Sequence, residues 1–401
     1  MRSKFYYGWI VVGMAFLANF FAFGLTYLFG VFFKPLATEF HWSRTIIVGA
    51  FALYAVGHDA LAFFAGVAVD RFGPKVVIAL AGLCLGLSMI LMGQIESIWE
   101  LYFYFGIVFG IGVAGTYTPM MTTVSGWFID KSGLGLAMGL AAAGIGSGSL
   151  ILSPFTAWLI TSFGWRYSYV LIGLLCWVVF VPIVIFLKRR PVLPKKQDTT
   201  ISTDFTFVEA IRTGSFWFLG LTWLFGAMAI FAPMMHLVPL CTDMGISLVA
   251  AGTIMGLYGG ASVVGRIAMG LVSDKIGRKQ AMLICFLSQT LILVWLIFAK
   301  NLWSLSLFSI VFGFSSGGWA ALCPAICTDY FGFRSGGKIL GMVVLLAGIG
   351  VGIGPLVGGY IFDVTHSYYY MIWMSILASL AAFVCSSLLV SPVRKNALAE
   401  L

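Results

Sequence analysis

The stretch from Gly259 to Lys279, GGASVVGRIAMGLVSDKIGRK, decides how this chain is read. Its first half is apolar and helix-compatible, yet it carries Arg266 with no acid beside it in sequence. Its second half, Gly270-x-x-x-Asp274-Lys275-x-Gly277-Arg278-Lys279, has a near copy 204 residues earlier, Gly66-x-x-x-Asp70-Arg71-x-Gly73-Pro74-Lys75. One stretch therefore points to a duplicated architecture and to a cation inside an apolar helix.

Composition sets the class. The chain is 61% hydrophobic and 9% charged, with 48 glycines among 401 residues. A soluble protein carries roughly a quarter charged residues, so this is an integral membrane protein. Cys84, Cys176, Cys241, Cys285, Cys323, Cys327 and Cys385 fall mostly in apolar runs without metal-ligand spacing. They read as small buried hydrophobes, with no disulfide, metal or cofactor implied. Arg2 and Lys4 precede an apolar run from Trp9 to Phe33, too long for a cleaved signal peptide. That run is the first spanning helix.

A membrane helix needs about 20 apolar residues. Breaks in the apolar pattern predict twelve, near 8–33, 46–69, 75–95, 99–124, 134–161, 167–187, 216–241, 248–272, 279–298, 303–327, 338–362 and 368–391. With both termini cytoplasmic, eighteen of the 23 Lys and Arg residues fall on the cytoplasmic side. Lys34, Arg44, Arg166 and Lys300 fall outside, and Arg266 alone falls within the membrane. The positive-inside rule supports that orientation and explains the net charge of +9 without nucleic acid. The absence of an Asn-x-Ser/Thr acceptor and the short loops fit a bacterial plasma (inner) membrane.

Lys188 to Asp204, KRRPVLPKKQDTTISTD, is a basic, then polar linker whose Pro191 and Pro194 oppose a continuous helix. Phe205 to Arg212 then reads as a short amphipathic surface helix. The expected domains are a six-helix bundle over 1–187, a cytoplasmic linker over 188–215 and a second bundle over 216–401. The halves repeat further: Ile107-Val-Phe-Gly110 returns as Ile310-Val-Phe-Gly313, and Ala143-Gly-Ile-Gly146 as Ala347-Gly-Ile-Gly350. Pro119 and Pro324 also correspond. Three matches in order at nearly constant offset mark a duplicated unit, an architecture in which transporters place the substrate near mid-membrane between repeats.

The Gly-x-x-x-Asp-Arg/Lys-x-Gly pattern sits in two short cytoplasmic turns, where Gly66 and Gly270 would let helices approach. Gly66, Asp70, Arg71 and Gly73, with Gly270, Asp274, Lys275, Gly277 and Arg278, form this loop motif, and it resembles that of the major facilitator superfamily. A narrower resemblance is to the monocarboxylate transporter family. It rests on Tyr7-Gly8-Trp9 with Phe29-Gly30-Val31-Phe32-Phe33, and on Trp127-Phe128 followed by Leu136-Ala137-Met138-Gly139-Leu140-Ala141-Ala142-Ala143-Gly144. By that resemblance Arg266 falls at the helix 8 arginine that binds the substrate carboxylate. Ser262 stands where animal members carry an aspartate, and Tyr27 where they carry a lysine, so a proton route needs another group.

Arg266 lies eight residues from Asp274, about 12 Å along a helix, near mid-bilayer. An arginine there costs about 2.5–3.5 kcal/mol on insertion scales, and its planar fork suits a carboxylate. A permanent partner, a backbone carbonyl or Asp59, is the structural alternative. Asp59, with His58, is also near mid-membrane and is a proton-relay candidate, as is His236; each also reads as a satisfied structural group. Tyr27, Thr116, Tyr117 and Trp319 lie on spans that line the cavity in the resembled superfamily, and each could equally be helix packing. Gly332 to Lys338 fits a phosphate-loop pattern, but Ile339 replaces the required Ser or Thr and no strand precedes it.

The sequence thus predicts an all-α membrane protein of two pseudo-symmetric six-helix bundles. It reads as a carrier of small monocarboxylates such as lactate or pyruvate, coupled to protons and working by alternating access. It is not an enzyme, and its partners are a small organic anion, H+ and the bilayer. The rival readings are a carrier or exchanger of a dicarboxylate or of oxalate and formate, which a second intramembrane cation would favour, and a non-transporting membrane sensor or intramembrane enzyme.

Overall fold

The computed structural model describes residues 6–128, 133–188, 205–332 and 336–390. The linker call over 189–204 and the basic residues Arg2, Lys4, Lys131, Arg334, Arg394 and Lys395 lie outside them.

Among the described residues, twelve helices are long and apolar enough to cross a membrane. They are α1 (Gly8–Phe40), α2 (Arg44–Phe72), α3 (Pro74–Met92), α4 (Ile98–Phe128), α5 (Leu134–Phe163) and α6 (Trp165–Phe186), then α7 (Gly214–Asp243), α8 (Leu248–Ile276), α9 (Arg278–Phe298), α10 (Leu302–Phe331), α11 (Gly336–Thr365) and α12 (Tyr369–Ser387). The first helix continues past Phe33 to Phe40, because Pro35 is accommodated inside it. The expected surface helix is a single turn over Phe207–Ile211, closed by a capping box between Thr206 and Glu209. Phe205 ties it to α10 through a bond from its N–H to Phe331 O and an edge-to-face ring contact.

The duplication is visible in how helices start and stop. Ser43 caps α2 and Ser247 caps α8, each hydroxyl accepting from the backbone N–H three residues on. The second glycine of each loop motif is a helix stop: Gly73 and Gly277 have φ of 84° and 92° and donate back to Val69 O and Ser273 O. Only glycine takes that conformation without strain.

Helix 4 is not the single α-helix expected. Residues Tyr102–Phe109 form a π-helical segment, and the helix breaks again at Gly115 and Thr116 before resuming at Tyr117. Ser88 Oγ donates to Tyr104 O at 2.8 Å, satisfying a carbonyl in the irregular stretch. Pro119, with no N–H to give, follows the second break.

The six helices before the linker and the six after it meet along two walls, α5 against α8 and α2 against α11, with α1 and α7 also touching. Small residues permit the approach. Gly252 and Gly256 of α8 pack against Ser153, Ala157 and Leu150 of α5, while Gly352 and Gly359 of α11 pack against Ala52 and Arg44–Thr45 of α2. These contacts all lie toward the end that carries the α1–α2 turn. Arg44 bonds Asp243 at 2.6 Å there, and Asp363 of α11 accepts from the N–H groups of Arg44 and Thr45 at 2.9 Å. This is the sealed end. From Arg266 toward the end carrying both termini, no further hydrogen bond or ion pair joins the halves among the described residues. A Cβ placed on Gly66 or Gly270 would meet nothing within 4 Å, so the close approach expected of these two glycines is absent. The halves have parted at their end.

Candidate functional site

Arg266 sits where the two halves begin to part. Its Nη1 donates to Ala142 O of α5 at 3.3 Å, a long bond across to the other half. Its Nε is buried and unpartnered, and no carboxylate pairs with it among the described residues. Of the two alternatives read from sequence, the backbone carbonyl is its partner and Asp59 is not. A guanidinium holding one long neutral bond keeps most of its five donors for something else.

Three tyrosines share its surroundings. Tyr27 of α1, Tyr117 of α4 and Tyr258 of α8 all lie within the reach of its charge. Tyr117 is 37% exposed, the most open of the three, and follows directly on the break in α4. Tyr27 and Tyr258 meet edge-to-face across the halves at 6.1 Å. Tyr258 is eight residues nearer the sealed end than Arg266, about 12 Å of helix, so this ring pair roofs the site. Tyr258 also accepts from Ser316 Oγ at 3.1 Å. The sequence reading missed Tyr258; the available signal was a lone tyrosine in the glycine-rich run Gly252–Gly265.

Three further expected binding residues have their polar groups bonded inside their own half, with Ser262 one turn from Arg266 on α8. Ser262 is buried, its hydroxyl donates to Gly259 O at 2.7 Å, and it packs against Gly146 and Gly317. Thr116 is buried and donates to Gly112 O at 2.8 Å. Trp319 is buried in the second half, its indole N–H bonded to Gln289 Oε1 at 3.2 Å and its ring packed on Trp223 and Phe286.

The acid and histidine lie on the opposite wall. Asp59 Oδ1 is 2.9 Å from His58 Nδ1, and Asp59 Oδ2 occupies the space where Gly348 of α11 lacks a Cβ. Phe23 makes edge-to-face contacts with both His58 and Tyr117, at 6.3 and 5.7 Å. Nearby, Tyr54 OH and Thr26 Oγ1 are bonded at 3.2 Å. His236 is elsewhere: fully buried near the sealed end, it has Nε2 3.1 Å from Pro355 O, with Phe33 and Tyr368 on its faces.

The loop motif stays at the parted end. Arg71 lies over the ring of Phe72 at 5.2 Å, Asp274 and Lys275 are exposed, and Arg278 pairs with Asp329 of α10 at 3.2 Å. The side chain of Asp70 lies outside the described residues. Among the described residues no group of three His, Cys, Asp or Glu could hold a metal ion.

Comparisons with known proteins agree with this frame. The family profile described as Major Facilitator Superfamily matches residues 15–293 and 226–400. The chain is 26% identical over 356 residues to the uncharacterized MFS-type transporter YcxA of Bacillus subtilis, covering 85% of each. It is 28% identical to monocarboxylate transporter 13 of Bos taurus, over 90% of this chain and 84% of that one. With human monocarboxylate transporter 2 the identity is 27%, over 91% and 81%. Among solved structures, a bacterial homolog of the human lysosomal transporter Spinster, in an inward-facing and unoccupied conformation, superposes with a TM-score of 0.78. Its identity is 15%, and the match covers 96% of this chain and 98% of that one. With twelve spans in two halves and a family profile matching nearly its whole length, the chain is a membrane transporter of the major facilitator superfamily.

Proposed function

We propose that this protein carries small monocarboxylates of the lactate and pyruvate kind, with Arg266 as the carboxylate anchor. The observation that carries the reading is an intramembrane guanidinium with a buried, unpartnered Nε and one long bond to a carbonyl. A charge left in that state is costly, and a carboxylate supplies what it lacks. The tyrosines around it offer hydroxyls to the substrate, and the relatives named as monocarboxylate transporters support the substrate class.

The cycle is alternating access. The halves are sealed at the α1–α2 end and parted at the other; with the termini in the cytoplasm this is an inward-facing state. Rocking about Arg266 would bring together the unpacked faces bearing Gly66 and Gly270, so the close approach expected of them belongs to the opposite state. A proton enters through Asp59, which lies on the opposite wall from Arg266 and rests against Gly348 of α11. Its protonation changes the charge at a contact between the halves, which couples it to their rocking.

The test is uptake of labelled L-lactate into proteoliposomes. Arg266→Gln should abolish uptake at normal insertion, and Arg266→Lys should lose most of it, since an ammonium keeps the charge without the two-pronged geometry. Wild-type uptake by Arg266→Gln would refute the anchor.

A further inference from the structure

Asp243, in the last turn of α7, has its carboxylate divided between two cations of the other half. Lys34 Nζ lies 3.2 Å from Oδ1, and Arg44 Nη2 lies 2.6 Å from Oδ2. One oxygen goes to each, so Lys34 and Arg44 are already arranged about a carboxylate. The other described side-chain partners of Arg44 also belong to the second half: its guanidinium lies 3.4 Å from the ring centre of Phe362 and 4.9 Å from that of Tyr368.

Parting the halves at this end must break these contacts, because the cations move with one half and Asp243 with the other. The neighbouring acids have other partners. Glu39 is held by Arg166 at 2.8 Å and by the Trp165 indole at 2.5 Å, both in its own half. Asp363 accepts from the N–H groups of Arg44 and Thr45 and from Thr45 Oγ1 at 2.6 Å. A cleft of about 510 Å³ already runs along this seam, lined by Lys34, Thr38 and Glu39 on one side and Thr242, Gly245 and Ile246 on the other.

We infer that Lys34 and Arg44 form a second carboxylate site at the mouth of the sealed end, filled by Asp243 while that end is shut and offered to the incoming anion when it opens. The inference rests on the carboxylate-carrier reading and adds where the anion is first met. Paired cations at a mouth raise the local concentration of anions and their rate of entry, and salt screens the effect.

The test compares KM for L-lactate entering from the sealed face, at low and high ionic strength. Lys34→Gln and Arg44→Gln should each raise KM by about three- to tenfold at low salt, and by less at high salt. Asp243→Asn removes the internal competitor and should lower KM. A mere latch would be weakened by all three substitutions and would shift KM in one direction, so same-sign shifts, or an unchanged KM in both cation variants, overturn the inference. A second arm does not depend on the substrate. A cysteine introduced by Thr38→Cys, in the same cleft, should react faster with an anionic than with a cationic thiol reagent once Asp243→Asn is added, and this preference should vanish with Lys34→Gln. That pattern without lactate uptake would sink the carrier reading and keep the anion site; lactate uptake without that pattern would do the reverse.

Discussion

Helices α2 and α8 hold the same place in the duplicated unit, yet their middles carry opposite chemistry. Both are 29 residues long, both are capped by a serine and both stop at a motif glycine, 204 residues apart. At that offset His58 corresponds to Ser262, Asp59 to Val263 and Arg266 to Ala62. One wall thus carries an acid and a histidine against Gly348 of α11, and the other a lone cation against Ala142 of α5. Had both charges faced each other they would have formed a buried pair, and a substrate carboxylate would have had to displace Asp59. The divergence puts a lone cation on one wall and an acid–histidine pair on the other, which is the division of labour proposed above.

Apart from loss of Arg266 itself, the largest effect should come from closing the space that each wall needs. Gly348→Leu puts a side chain where Asp59 Oδ2 lies, and Gly146→Leu puts one against Gly259 and Ser262. Overpacking of this kind costs about 1–3 kcal/mol, or roughly five- to a hundredfold in the balance between conformations. Either variant should lose most uptake while the sealed end opens more often, read as faster labelling of an Ala157→Cys probe, a position buried against Gly252 across the seam. Unchanged labelling would mean that the walls do not set the balance.

Asp59→Asn tests the division of labour. It removes the titrating group and keeps its shape, so lactate counterflow should survive while accumulation driven by a pH gradient falls severalfold. If gradient-driven uptake persists, the proton travels elsewhere, with His236 the next group to test. The smallest effect belongs to Tyr117→Phe, which deletes one partly exposed hydroxyl on the first-half side of the site. A neutral hydrogen bond contributes about 0.5–1.5 kcal/mol, so KM should rise about two- to tenfold with little change in maximal rate.

Much of this frame was legible in the sequence. Charge scarcity marked the membrane, breaks in the apolar runs marked twelve spans, and an arginine without a neighbouring acid marked the candidate site. What stayed hidden has a physical cause. In a lipid-embedded helix both the lipid face and the packed face are apolar, so the period that reveals the buried side of a soluble helix is weak. Leu271 and Ile267 are exposed while Met269 between them is buried, and all three look alike by hydropathy. The bonds of Trp319, Thr116 and Ser262 to Gln289, Gly112 and Gly259 were therefore not legible, although the helices that carry them were. The irregular stretch of α4 was not legible, because one of its carbonyls, Tyr104 O, is satisfied by Ser88 in another helix.

The most direct measurement is lactate binding to the purified protein, wild type beside Arg266→Gln, by isothermal titration. A hydrogen bond to a charged group contributes about 1.5–3 kcal/mol, and each 1.4 kcal/mol is about tenfold in affinity. Losing a two-pronged contact should therefore weaken binding by two orders of magnitude or more, at a melting temperature close to that of the wild type. Equal affinity in the two proteins would contradict the assignment of Arg266 as the carboxylate anchor.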